Sequence, residues 1–179
     1  METVELDMSD FCYSDYYLEE LSGREPMALH ARFYDMMRYL KSVAPAGQLP
    51  GRQHIDPLDF RHVISLINLV DVERTGGEVR FRYRLVGETQ TRNAGRETTG
   101  LLLEDALLPE LLPRVRANMR KVLERRQPVF DSFPMPHPDR QFIIAQRMYF
   151  PLAADGQTIN MLLTLHGYDP NPTGGSQQS

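Results

Sequence analysis

The feature that most constrains this sequence is a run in which two chemistries alternate residue by residue. Val79, Phe81, Tyr83 and Leu85 interleave with Arg80, Arg82 and Arg84. A period of two sends the sets to opposite faces of a β-strand, whereas a helix would mix them. Residues 78–86 therefore predict a strand with one apolar and one cationic face. A second apolar run at 67–73 precedes it, joined through Thr75-Gly76-Gly77. Adjacent glycines take positive φ without a Cβ clash, so a tight hairpin is expected.

The period then changes. Leu108, Leu112, Val115, Met119 and Val122 recur at helical spacing and predict a helix over about 109–126, ended by Gln127-Pro128. Strands are expected at 128–134, 140–152 and 157–168. The last two meet through Ala153-Ala154-Asp155-Gly156, where Asp-Gly signals another hairpin. Upstream, Leu29, Phe33, Met36, Met37 and Leu40 share one face of a helix at 29–41, and Asp56-Pro57 reads as an N-cap followed by a first-turn proline. Hairpin, helical crossover and three-strand meander make an α+β domain. The expected architecture is a five-stranded antiparallel sheet with helices packed on one face and an N-terminal helix.

Charge divides the chain. Residues 1–20 hold seven acidic and no basic side chains, a charge of −7, so the remainder is +3 against a total of −4. The same stretch carries Phe11, Tyr13, Tyr16 and Tyr17, which implies something for aromatics to pack on. Three regions follow: an acidic aromatic extension at 1–28, a domain at 29–168, and a polar, breaker-rich tail at 169–179 expected to be disordered. One cysteine, Cys12, excludes an internal disulfide framework. No apolar run reaches the roughly 18–20 residues of a membrane span, and the acidic N-terminus is unlike a signal peptide, so a cytoplasmic location is expected.

Several short motifs then agree in order. Leu49-Pro50-Gly51-Arg52-Gln53-His54-Ile55-Asp56-Pro57, Tyr83-Arg84-Leu85-Val86-Gly87, Gly95-Arg96-Glu97-Thr98-Thr99-Gly100, Pro128-Val129-Phe130 and Phe150-Pro151-Leu152 stand in sequence over about residues 30–168. This pattern, with its element order, resembles the PAS sensory family, and within it a lone-domain subfamily common in alphaproteobacteria. The resemblance implies a signalling role, a pocket between sheet and crossover helices, and dimerisation through an N-terminal helix.

Catalytic patterns are missing. The histidines (His30, His54, His62, His137 and His166) show no HExxH spacing, and the sequence lacks GxSxG, GxGxxG and GxxxxGK[ST]. Cys12 lies among acidic residues that should raise its pKa. The Asn-Cys-Arg motif of flavin-binding PAS relatives does not occur, and His30 and His62 fall outside the crossover where haem-bearing relatives place a ligand. His166, late in a strand, reads as a polar partner within the sheet. No enzyme activity, metal or cofactor is expected. Arg80, Arg82 and Arg84 contain an RxxxR spacing, but the second element of that class of cyclic-dinucleotide receptor is absent. Residues 114–126 are net +5 without a recognition helix, so nucleic-acid binding is not expected.

The leading expectation is a non-catalytic PAS signalling or adaptor domain. Neither flank is long enough for an output module, so its signal would leave by protein–protein contact. The candidate contact residues are Phe33 and Met37, as a homodimer seam, and Arg80, Arg82 and Arg84, facing an unknown acidic partner. The alternative is a receptor for a small apolar metabolite, lined by Phe81, Tyr83, Leu85 and Met119; close packing would instead make these core. The acidic segment at 10–20 is expected to dock on the arginine strand or on the basic helix.

Overall fold

The computed structural model describes residues 8–135, 138–140 and 143–170. The first seven residues, His137 and most of the predicted tail lie outside them. In chain order come β1 (Cys12–Tyr13), α1 (Asp15–Leu21), α2 (Ala31–Val43), β2 (Ile67–Thr75), β3 (Glu78–Leu85), α3 (Glu88–Ala94), α4 (Leu103–Ala106), α5 (Leu112–Arg125), β4 (Val129–Pro134), β5 (Ile143–Leu152) and β6 (Met161–Pro170).

The protein has an α+β fold. Its sheet is ordered β1-β4-β5-β6-β2-β3. The five expected strands pair antiparallel, and a sixth, β1, joins β4 in parallel through Cys12 with Val129 and Tyr13 with Phe130. Alternation along the strands divides the core in two. Val70, Phe81, Tyr83, Val129, Tyr149 and Leu162 pack under α4 and α5 on the inner face. Phe130, Met148, Phe150, Leu163 and Leu165 meet α2 on the outer face. The crossover helices thus lie on one side and the N-terminal helix covers the other.

Helix α2 begins two residues later than its apolar stripe suggested, because His30 caps it: the ring Nδ1 accepts from Arg32 N at 3.3 Å. The leader between α2 and β2 forms three short 3₁₀ turns rather than a longer helix. Asp56 does cap one of them, its Oδ1 accepting from Leu58 N at 3.0 Å.

The two connections expected to be tight behave differently. Gly76 and Gly77 both take positive φ, 58° and 82°, and close the β2–β3 hairpin. The Asp-Gly connection is longer, since β5 ends at Leu152 and β6 starts at Met161. There Asp155 Oδ1 accepts from Gln157 N and Thr158 N, and the loop binds the leader through Leu49 N to Gly156 O and Ala153 N to Pro50 O. Gly87 serves close approach rather than positive φ. Its φ is −63°, but a Cβ would sit 2.4 Å from Ser65 O, where α3 starts against the preceding turn.

Candidate functional site

Of the four residues expected to line a pocket, three lie together in the core of the inner face. Phe81, Tyr83 and Met119 are buried together with Leu103, Val115 and Tyr149. Leu85 is not with them. The register shifts between Leu69 and Val70, which pair with Leu85 and Tyr83, leaving Arg84 as the extra residue of a bulge. A bulge reverses the alternation beyond it, so Leu85 turns to the outer face, 43% exposed, beside Ile55, Phe60 and Ile64. Burial pushes the Tyr83 phenol up to about 12, and burial likewise raises that of Tyr149; the nearby Arg147 charge offsets part of each rise.

The expected contact residues are occupied within the chain. Phe33 and Met37 are buried against the outer face, Phe33 edge-on to Phe130 at 5.9 Å. A homodimer formed through α2 would therefore have to use the other side of that helix. Arg80 binds Glu104 at 2.8 Å, Arg82 binds Glu73 at 2.6 Å and Arg84 binds Asp71 at 2.8 Å. Hydrogen bonding from Arg82 holds the Glu73 carboxyl below its ordinary range, and Arg80 does the same for Glu104. The strand's cationic face is a ladder of exposed ion pairs.

A polar belt crosses the inner face that the sequence reading missed. Asp131 of β4 lies opposite Arg147 of β5, and Arg147 lies opposite His166 of β6. Arg147 Nε donates to His166 Nδ1 at 3.2 Å. The imidazole hydrogen is thus on Nε2, which faces Thr164 Oγ1 at 3.1 Å. Asn68 stands 3.3 Å from the same Nε2, and its Oδ1 accepts from Gly87 N at 3.0 Å. Burial, then the Arg147 charge, holds His166 well below the usual imidazole range, so the ring is neutral. His166 is the in-sheet polar partner its position suggested. His54 is a cap, its Nδ1 accepting from Gly51 N at 2.9 Å.

The belt ends at Arg114 of α5, a buried guanidinium. Asp131, fully buried, accepts from Arg114 Nε at 2.7 Å and from Nη2 at 2.6 Å. Asn118 Nδ2 and Ser132 N also donate to Asp131, at 2.7 and 2.8 Å. Arg114 Nη1 reaches outward to Glu20 of α1 at 2.6 Å. Burial works against the Arg114 charge, and its hydrogen bonds to these two carboxylates more than offset it, so the proton is held tighter than usual. Phe133 lies between the two cations, 4.8 Å from the Arg114 guanidinium and 5.4 Å from that of Arg147, with Tyr16 over Arg114 at 5.6 Å.

The acidic aromatic segment chooses the basic helix over the arginine strand. It straddles the open edge of β4. On one side Phe11 and Tyr17 are buried in the α2 cluster, with Tyr13 and Tyr17 both edge-on to Phe130 at 6.0 and 5.6 Å. On the other, Lys121 Nζ donates to Tyr13 O at 2.7 Å and to Asp15 Oδ1 at 2.6 Å, while Arg114 holds Glu20. Arg114 and Lys121 are seven residues apart on α5, hence on one face, a spacing the sequence displays. The segment is further tied by Lys41 to Asp10 at 2.6 Å and by Gln127 Nε2 to Ser9 O at 2.7 Å. Cys12 donates weakly to Pro128 O, and burial, ahead of the Asp15 charge, raises its pKa; Lys121 and Arg125 act in the opposite sense.

Among the described residues no cluster of three or more His, Cys, Asp or Glu could hold a metal ion, and no helix is long and apolar enough to cross a membrane. No family model and no curated protein matches the chain. Twelve solved chains match in structure. A light-oxygen-voltage domain studied with a flavin analogue is 14% identical, with a TM-score of 0.42, over 80% of this chain and 91% of that one. A sensory box sensor histidine kinase from Vibrio cholerae is 17% identical, with a TM-score of 0.36, over 63% of this chain and 90% of that one. These likenesses concern chain arrangement alone, and neither flavin nor kinase chemistry carries across.

Proposed function

We propose that this chain is a non-catalytic cytoplasmic signalling module of the PAS type, akin to the lone-domain subfamily its motifs resemble, and that it acts through protein–protein contact. The observation that carries this reading is the docked N-terminal segment. An acidic, aromatic-bearing strand and helix sit on a complementary edge, which supports a role for that edge in receiving a peptide. The receptor reading is weaker for an apolar metabolite, because Phe81, Tyr83 and Met119 are buried against their neighbours. Its one support is Arg147, a partly exposed cation beside phenols, which would favour an acidic ligand over an apolar one.

Native mass spectrometry of the gently purified full chain tests the choice. The expected spectrum shows the chain mass, or its multiples, with nothing added. A small molecule retained in stoichiometric amount would overturn the adaptor reading in favour of a receptor.

A further inference from the structure

The face that receives residues 8–21 is built from β4 and α5. Asp131 holds Arg114 from the core side through Nε and Nη2, contacts that do not involve Glu20. Nη1 donates to Glu20 Oε1 of the segment at 2.6 Å, and Nη2, which also serves Asp131, donates to Glu20 Oε2 at 3.1 Å. Lys121 Nζ donates to Tyr13 O and Asp15 Oδ1, both in the segment. Beside these cations lies the edge of β4, to which the segment donates hydrogen bonds from Cys12 N to Pro128 O at 2.9 Å and from Ser14 N to Phe130 O at 2.7 Å. Phe130 supplies the aromatic platform.

The segment occupies this face imperfectly. Ser14, fully buried at the β1–α1 junction, has a hydroxyl without a hydrogen-bond partner among the described residues. A buried unsatisfied hydroxyl weakens the state that contains it. Glu20 and Asp15 are exposed, with side-chain exposures of 51% and 75%, so water and competing carboxylates reach both ion pairs. Ser22 and Gly23, at φ 50° and 79°, turn the chain out of α1 toward α2.

We infer that the β4–α5 face is a docking site for a partner's acidic, aromatic-bearing peptide, which displaces residues 8–21 to reach it. The partner must bring aromatic side chains for the Phe130 platform and two carboxylates at the separation of Asp15 and Glu20, for Lys121 and Arg114. It adds a short parallel strand to β4 before turning into a helix, so backbone pairing gives affinity and the two carboxylates give register. This inference rests on the proposed adaptor role, but its test below does not depend on whether the chain also retains a small molecule.

The test uses the full chain and a fluorescently labelled synthetic peptide of residues 8–24 as probe. In one full-length variant Asp15→Lys and Glu20→Lys together release the cis segment, with release read by hydrogen exchange over residues 10–21. The probe is expected to bind this variant at least tenfold more tightly than it binds the unaltered chain, and a probe carrying the same two reversals is expected not to bind. A released variant that ignores the probe, or that binds both probes equally, would overturn the inference. So would continued protection of residues 10–21 in the variant, since the contacts a partner is to take over would then not hold the segment. An unaltered chain that instead dimerises by exchanging these segments would assign the face to a second copy and overturn the partner.

Discussion

Arg114 holds two carboxylates of opposite environment: Asp131, fully buried, accepts from Nε and Nη2 at 2.7 and 2.6 Å, and the half-exposed Glu20 accepts from Nη1 at 2.6 Å and, more weakly, from Nη2 at 3.1 Å. The first contact belongs to the core and the second to the docked segment. Removing one member of a buried pair leaves the other charge uncompensated, which costs about 3–5 kcal/mol. An exposed pair contributes only about 0–1 kcal/mol. Asp131→Asn should therefore lower the unfolding free energy several times more than Glu20→Gln does. Urea unfolding of the two variants reads the difference, and equal losses would contradict the division.

The α2 stripe packs inside its own chain. Phe33→Ala removes a fully buried ring facing Phe130 and should cost about 3–5 kcal/mol. Because the contact is intramolecular, the loss should not vary with protein concentration. A midpoint that moves with concentration in the unaltered chain and not in the variant would place the ring at a subunit seam instead.

His166 gives the fold an acid-side pH dependence. Its folded-state pKa is depressed by burial and by Arg147, so below about pH 6.5 the unfolded chain binds a proton that the folded chain refuses. Stability is fully present above that pH and declines as pH falls toward the folded-state pKa, at up to about 1.4 kcal/mol per pH unit. Thr164, Asn68 and Arg147 face the ring, and none of them titrates in this window. Unfolding measured from pH 7.5 to 5 should show the decline in the parent and lose most of it in His166→Gln.

Gly87→Ala should destabilise the protein although its φ of −63° suits any residue. The new Cβ would meet the backbone oxygens of Ser65 and Ile67 at 2.4 and 2.7 Å, and backbone does not yield as a side chain does. Overpacking of this kind costs about 1–3 kcal/mol, read as a lowered melting temperature.

Much of this architecture was legible because period survives in a sequence. Val79, Phe81 and Tyr83 alternate, α2 and α5 carry helical stripes, and Gly76-Gly77 names its own turn. Leu85 shows where period fails: one bulged residue, Arg84, reverses every side chain after it, and the alternating pattern carries no mark of the slip. The ion pairs of the arginine strand were hidden for a related reason, since Asp71 and Glu73 lie across the hairpin and Glu104 on α4, and none is matched until the fold is known. Asp131, Arg147 and His166 come from three strands and meet only in the folded sheet, so no local motif announces them. The docking of the acidic segment was half legible. Its composition demanded a surface, while the choice of α5 required seeing that Arg114 and Lys121 flank the edge strand that Cys12 and Tyr13 extend.

Hydrogen exchange over residues 10–21 of the intact chain, at low and high salt, tests the docked and displaceable segment most directly. Amides there should be protected at low salt, though opening more readily than those of β5 and β6. Added salt should weaken that protection without abolishing it, because screening removes the contacts of Arg114 and Lys121 and leaves the packing of Phe11 and Tyr17. Random-coil exchange at low salt would contradict docking, and protection equal to that of β5 and β6 would contradict displacement.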